Sequence, residues 1–192
     1  MKFQKKVQYD YELNGITEEN GYTKRYNWEK VRKPVKIIGY ILVATCFIAA
    51  RVFKKELAVY GKLNQIIVAV CALLTLLIIV VPLHEILHLL AMSKGRLDDK
   101  CIITMGQGAV SAVYNGPLAR SRQIISLLLP VTVLAIVFAA ATILTSGVLR
   151  LYFIYLLIMS CLSSYTDIYM VFYTIKHIGK NDTIFGVYKK SE

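Results

Sequence analysis

Four long runs of apolar residues limit this chain more than any other feature. Ile37–Phe53, Leu63–Met92, Ile124–Gly147 and Val148–Thr174 are nearly free of charge, and each reaches roughly the twenty residues that a helix needs to cross a bilayer. Hydrocarbon offers no hydrogen bonds, so a segment there must satisfy its own backbone, and a helix does so. Of the 192 residues, 56% are hydrophobic, above the soluble norm of about 45–50%. The expected fold class is an all-α membrane protein with four transmembrane helices and a short β-hairpin insertion between helices 2 and 3. The first 34 residues are polar, which leaves no place for the apolar core of a secretory leader. The first span is expected to be a retained anchor.

Three parts are expected along the chain: a charged, aromatic tail over 1–36, a membrane domain over 37–176 and a C-terminal tail over 177–192. Net charge is +11. In a multispan protein such an excess marks the cytoplasmic side rather than a nucleic-acid partner. With the N-terminus inside, eighteen Lys and Arg fall on the inner side and five on the outer. That count predicts a multi-pass protein of the cell membrane with both termini in the cytoplasm. Tyr26 and Trp28 lie beside the basic cluster of "YNWEKVRKPVK", as interfacial anchors do. The four cysteines form no C-x-x-C pair, and neither a disulfide framework nor a thiolate metal site is expected. Between spans two and three, Gly106-Gln107-Gly108 is flanked by β-prone residues, which predicts a hairpin over about 101–118 at the cytoplasmic interface. Pro82 and Pro130 are expected to kink spans two and three.

Inside the second span lies "VVPLHEILHLLAMSKG". Residues four apart share a helix face, so His84 and His88 can turn ring nitrogens toward one ion. Two imidazoles at that spacing suit Zn2+. Glu85, next to the first histidine, can reach the open position and take a proton from a water there, as in zinc-dependent hydrolysis. Two buried histidines bonded to nearby carbonyls would be the plainer account. Ionisable residues within a span are costly, however, and usually mark function.

A catalytic zinc commonly takes a third protein ligand. The extended zincin pattern would need glycine where Ala91 stands and histidine where Lys94 stands. The other candidates are His177, Asp98, Asp99, Asp167 and Asp182. Asp98 and Asp99 sit in a charged loop, and Asp182 sits in the turn-like "GKNDT". Asp167 lies inside span four, where an unpaired carboxylate costs roughly several kcal/mol. His84 is 20 residues past Asn64 and Asp167 is 17 past Arg150, so both lie about 25–30 Å from the outer ends of parallel helices. Matching depth favours Asp167. An aspartate bonded only to Ser160 and Ser164 on its own face is the alternative, and His177 stands third.

With these residues in place, the chain resembles the site-2 protease class of intramembrane metalloproteases. Length and layout are most similar to a small bacterial membrane family known as "putative zincin peptidase", a domain of unknown function. The resemblance runs from about Leu63 to Thr174, with "SSYTDIYM" where that family carries its ligand aspartate. It implies zinc held by His84, His88 and Asp167, with Glu85 as base. Site-2 proteases commonly read Leu-Asp-Gly at the later ligand. This chain reads Thr166-Asp167-Ile168, and no oxyanion donor is assigned.

The expected function is zinc-dependent intramembrane hydrolysis of peptide bonds. The partners would be the lipid bilayer and a membrane-embedded or membrane-associated protein or peptide substrate. The alternative is a non-catalytic metal-binding membrane protein, a transporter component or sensor, or a degenerate protease that binds partners. Such proteins tend to carry ionisable residues at several depths, whereas here one cluster stands alone.

Overall fold

In a computed structural model, the structure describes residues 1–4, 20, 22–24, 33–37, 39–41, 44, 59–106, 109–186 and 188–190. Most of the expected first span, Ile37–Phe53, lies outside the described residues, as do Tyr26 and Trp28. Among the described residues, three helical stretches are long and apolar enough to cross a membrane: Lys62–Met92, Arg120–Leu144 and Gly147–His177. We call the first α1 and the second α2. The third is divided into α3, Gly147–Ser163, and α4, Tyr165–His177. The starts of the expected second, third and fourth spans fall within a few residues of these.

The chain is not all-α. Among the described residues, seven short strands form two sheets: β1 (Lys2–Gln4), β2 (Tyr22–Lys24), β3 (Cys101–Gly106), β4 (Ala109–Tyr114), β5 (Leu118–Ala119), β6 (Thr183–Phe185) and β7 (Tyr188–Lys190). Between α1 and α2, β3 and β4 pair antiparallel, with Ile103 opposite Ala112. The predicted turn residues Gln107 and Gly108 lie outside the described residues. β1 pairs parallel with β3, which makes a sheet of order β1-β3-β4. The other sheet has the order β2-β7-β6-β5. Strands from both segments read as tails thus enter the sheets. At three residues each, β1, β2, β6 and β7 are too short to show an alternating pattern, and long-range pairing makes them.

Contacts divide the chain into two units. One comprises residues 32–82 and 131–166. Within it α1 packs on α3, with Val68, Ala72, Leu151 and Leu156 buried. The Tyr152 hydroxyl donates to Thr75 Oγ1 at 2.7 Å. Ile66, Val70, Leu74, Leu77 and Ile78 are at least half exposed, which suits a lipid-facing surface and would be a liability in water. The helix changes to π-turns at Leu76–Val80, where the Val81 N–H donates to the Leu76 carbonyl. Pro82 has no N–H to give to the carbonyl four residues back. The wider turn before it is a common helix response to such a gap. Pro82 thus alters α1 by changing its register rather than ending it.

The other unit comprises residues 1–31, 83–130 and 167–192. Helix α1 ends there through Lys94 and Gly95, both with positive φ, and the Gly95 N–H closes back on the Leu90 carbonyl at 2.8 Å. This left-handed exit satisfies a carbonyl that the helix end would otherwise orphan. It also turns the chain into the hairpin. Leu89, fully buried, packs with Cys101 and Ile103, and Ile86, Val110 and Ala112 line the same cluster. Burial pushes the Cys101 thiol up, away from the thiolate, so it behaves as a small hydrophobe. A second cluster joins Met92, Leu118, Ile178 and Ile184.

Leu89 anchors the HExxH turn to the hairpin. Leu89→Ala should cost about 2–5 kcal/mol, as a buried Leu→Ala cavity does. Thermal and denaturant unfolding in detergent would read that loss. An unchanged midpoint would show that the hairpin does not hold this turn.

Candidate metal centre

All four polar residues singled out in the second and fourth spans lie in the same unit, which permits direct geometry. His84 and His88, one turn apart on α1, are both buried. Their rings meet edge to face, with centroids 4.7 Å apart. The two Nε2 atoms face each other at 3.0 Å. Asp167 Oδ2 lies 3.0 Å from His84 Nε2 and 3.5 Å from His88 Nε2. Two ring nitrogens and a carboxylate oxygen therefore converge on one point.

Local sequence explains why Asp167 can reach there. Ser163 and Ser164 both return their hydroxyls to the Ser160 carbonyl, each at 2.9 Å. Such back-bonding competes with regular helix, and the helix breaks at Ser164. Helix α4 then starts at Tyr165 and carries Asp167 in its first turn. An anion is favoured there by the helix dipole. Asp167 thus lies in the first turn of α4, within the span-length stretch Gly147–His177.

The partners of the remaining groups are backbone atoms. His88 Nδ1 lies 2.7 Å from the Ser126 carbonyl on α2. A carbonyl only accepts, so Nδ1 carries a proton, and in the neutral ring Nε2 then keeps its lone pair. Glu85 stands beside the histidine pair, and its Oε2 accepts the N–H of Ala112 on β4. His84 Nδ1 has no hydrogen-bond partner among the described residues. Ser126 and Ala112 enter the site through main-chain atoms, which leave no side-chain signature in a sequence. Pro130, four residues beyond Ser126, is the one mark that could have pointed there.

The donor set fits a metal ion. A four-coordinate zinc with bonds of about 2.0–2.2 Å holds its ligand atoms roughly 3.3–3.6 Å apart. The three separations here lie at that spacing or a few tenths of an ångström under it. Two imidazole nitrogens and a carboxylate oxygen at these distances are a donor set that suits zinc. The ligand atoms of His84, Glu85 and His88 lie within 4.8 Å of one another, and that trio could hold a metal ion.

The family model described as "Putative zincin peptidase" matches residues 77–180, more than half of the chain. The chain belongs to that family. No curated protein and no solved structure matches it. The zincin description implies zinc and a metallopeptidase activity, and the matched span contains His84, Glu85, His88 and Asp167.

The other predicted candidates lie elsewhere. Asp98 Oδ1 accepts the Lys100 N–H at 3.0 Å and contacts the Cys101 thiol, a turn role. Asp99 is exposed. Asp182 accepts the Gly179 N–H at 2.8 Å. His177 stacks on Tyr173 at 4.3 Å near the end of α4.

The Glu85–Ala112 bond carries its own prediction. A hydrogen bond to a charged acceptor is worth about 1.5–3 kcal/mol. Amide exchange at Ala112 should therefore quicken by roughly tenfold or more in Glu85→Ala, while β3 amides keep their protection. Equal exchange at Ala112 in both proteins would refute a bond that persists in solution.

Proposed function

We propose that this protein is a zinc-dependent endopeptidase that cuts membrane-embedded or membrane-associated proteins or peptides. His84, His88 and Asp167 hold the metal, and Glu85 is the catalytic base. The observation that carries this reading is the convergence of two Nε2 atoms and Asp167 Oδ2 at 3.0–3.5 Å. It involves ionisable residues on helices of span length, where unpaired charge is expensive and pairing usually serves function.

Zinc, when bound, polarises a carbonyl and makes water a better nucleophile. The rest of the chemistry belongs to the chain. Asp167 would offset part of the cation's charge, and the two imidazoles would hold it through their Nε2 atoms. Glu85 takes a proton from the attacking water and delivers it to the departing amine nitrogen. The Ala112 N–H holds that carboxylate in a defined place. β4 is an edge strand of its sheet among the described residues, and an edge can bind an extended peptide through main-chain bonds. Substrate held along β4 would lie beside the residue that must reach it.

The span-length helices that carry these residues favour an intramembrane site. The lysine and arginine distribution favours two cytoplasmic termini. A non-catalytic metal-binding membrane protein, or a degenerate protease that only binds partners, is the competing reading. Glu85, a carboxylate next to the first metal-facing histidine, favours the enzyme.

Purified protein should carry about one zinc per chain, as a single three-ligand site would. His84→Ala and Asp167→Ala should lose it in metal analysis after dialysis. Full retention by Asp167→Ala would remove Asp167 from the ligand set. For activity, membrane proteomes of cells with wild type and with Glu85→Gln should differ by at least one substrate that stays uncut in the mutant. No such difference would favour the non-catalytic reading.

A further inference from the structure

Pro130 is fully buried and lies inside α2. In an α-helix the N–H of residue 130 would be given to the carbonyl of residue 126. Proline has no N–H, and its ring also crowds the carbonyl four residues back. That carbonyl belongs to Ser126, and it is the one that accepts His88 Nδ1–H at 2.7 Å. The Ser126 hydroxyl does not compete for the role, since it donates to the Gln123 carbonyl at 2.9 Å. Pro82 provides the contrast within the same chain. Its helix takes π-turns at Leu76–Val80, just before it, whereas α2 continues through Pro130 as α-helix.

We propose that Pro130 is a positioning residue for the metal centre. It withholds the helical donor from Ser126 and leaves that oxygen to His88. The bond fixes His88 as the Nδ1–H tautomer and aims its Nε2 lone pair at the point shared with His84 and Asp167. A histidine ligand commonly gives its second ring N–H to such an outer partner, and loss of that partner typically costs 10–100-fold in metal affinity. Here the outer partner is a backbone carbonyl, so the residue that governs its availability is the proline. The inference rests on the metallopeptidase reading.

A purely structural proline predicts a different result. Proline is the least favourable residue in a helix interior, so its replacement should affect the stability of the helix and leave the histidine alone. The test uses the full chain in nanodiscs as wild type, P130A and the larger P130V. Zinc affinity is read by chelator competition, and the tautomer of His88 by 15N-histidine NMR on metal-free protein, with its signals assigned through H88Q. Wild type should show the Nδ1–H form. Both variants should bind zinc about 10–100-fold more weakly and show a mixture of His88 tautomers, with thermal stability equal to wild type or higher. Variants that match wild type in affinity and tautomer overturn the proposal alone. So do variants in which affinity falls only together with stability. Wild type that binds no zinc overturns the metallopeptidase reading and the role of Pro130 with it.

Discussion

The contact between His84 Nε2 and Asp167 Oδ2, at 3.0 Å, is the interaction on which this arrangement depends. Both residues belong to helices long and apolar enough to cross a membrane. A buried ionisable group in such a stretch is costly unless it finds a partner. Asp167 and the histidine pair serve each other, across 83 residues of sequence. The metal-like geometry follows from that pairing, since His88 Nε2 adds a second ring nitrogen at nearly the same point.

Backbone irregularities stand close in sequence to these residues, and two main-chain groups take side chains of the site as partners. The break at Ser164 gives Asp167 a place in the first turn of α4. The π-turns of Leu76–Val80 precede Pro82, two residues before His84. The carbonyl that Pro130 cannot serve accepts His88. The β4 edge supplies an N–H to Glu85. Main-chain groups are well suited to hold such a site, because they orient side chains without adding further charge to an apolar region.

Much of the helical framework was legible in the sequence. Lys62–Met92, Arg120–Leu144 and the stretch from Gly147 onward follow from uncharged runs of span length, and the β3–β4 hairpin follows from β-prone residues flanking Gly106. The division of the last stretch at Ser164 was not legible, because three serines within five residues suit a packing face as well as a break. Strands β1, β2, β6 and β7 were missed for a different reason. Three polar or mixed residues carry no period, and Lys2–Gln4 becomes a strand only because Cys101–Gly106 lies beside it.

By itself, the sequence determined the apolar helices, the HExxH pair on one face of the second of the expected spans, and a short set of residues able to join it. Local periodicity settles these, because a residue's neighbours three and four positions away are known before the chain folds. Tertiary structure alone decided which carboxylate meets the histidines, which carbonyl sets the tautomer of His88 and which strand amide holds Glu85. Those contacts join residues 27 to 83 positions apart. Two of the three run through backbone atoms that every residue carries alike. Only the fold distinguishes one such atom from another, by where it places it and by whether its usual helical or strand partner is already taken.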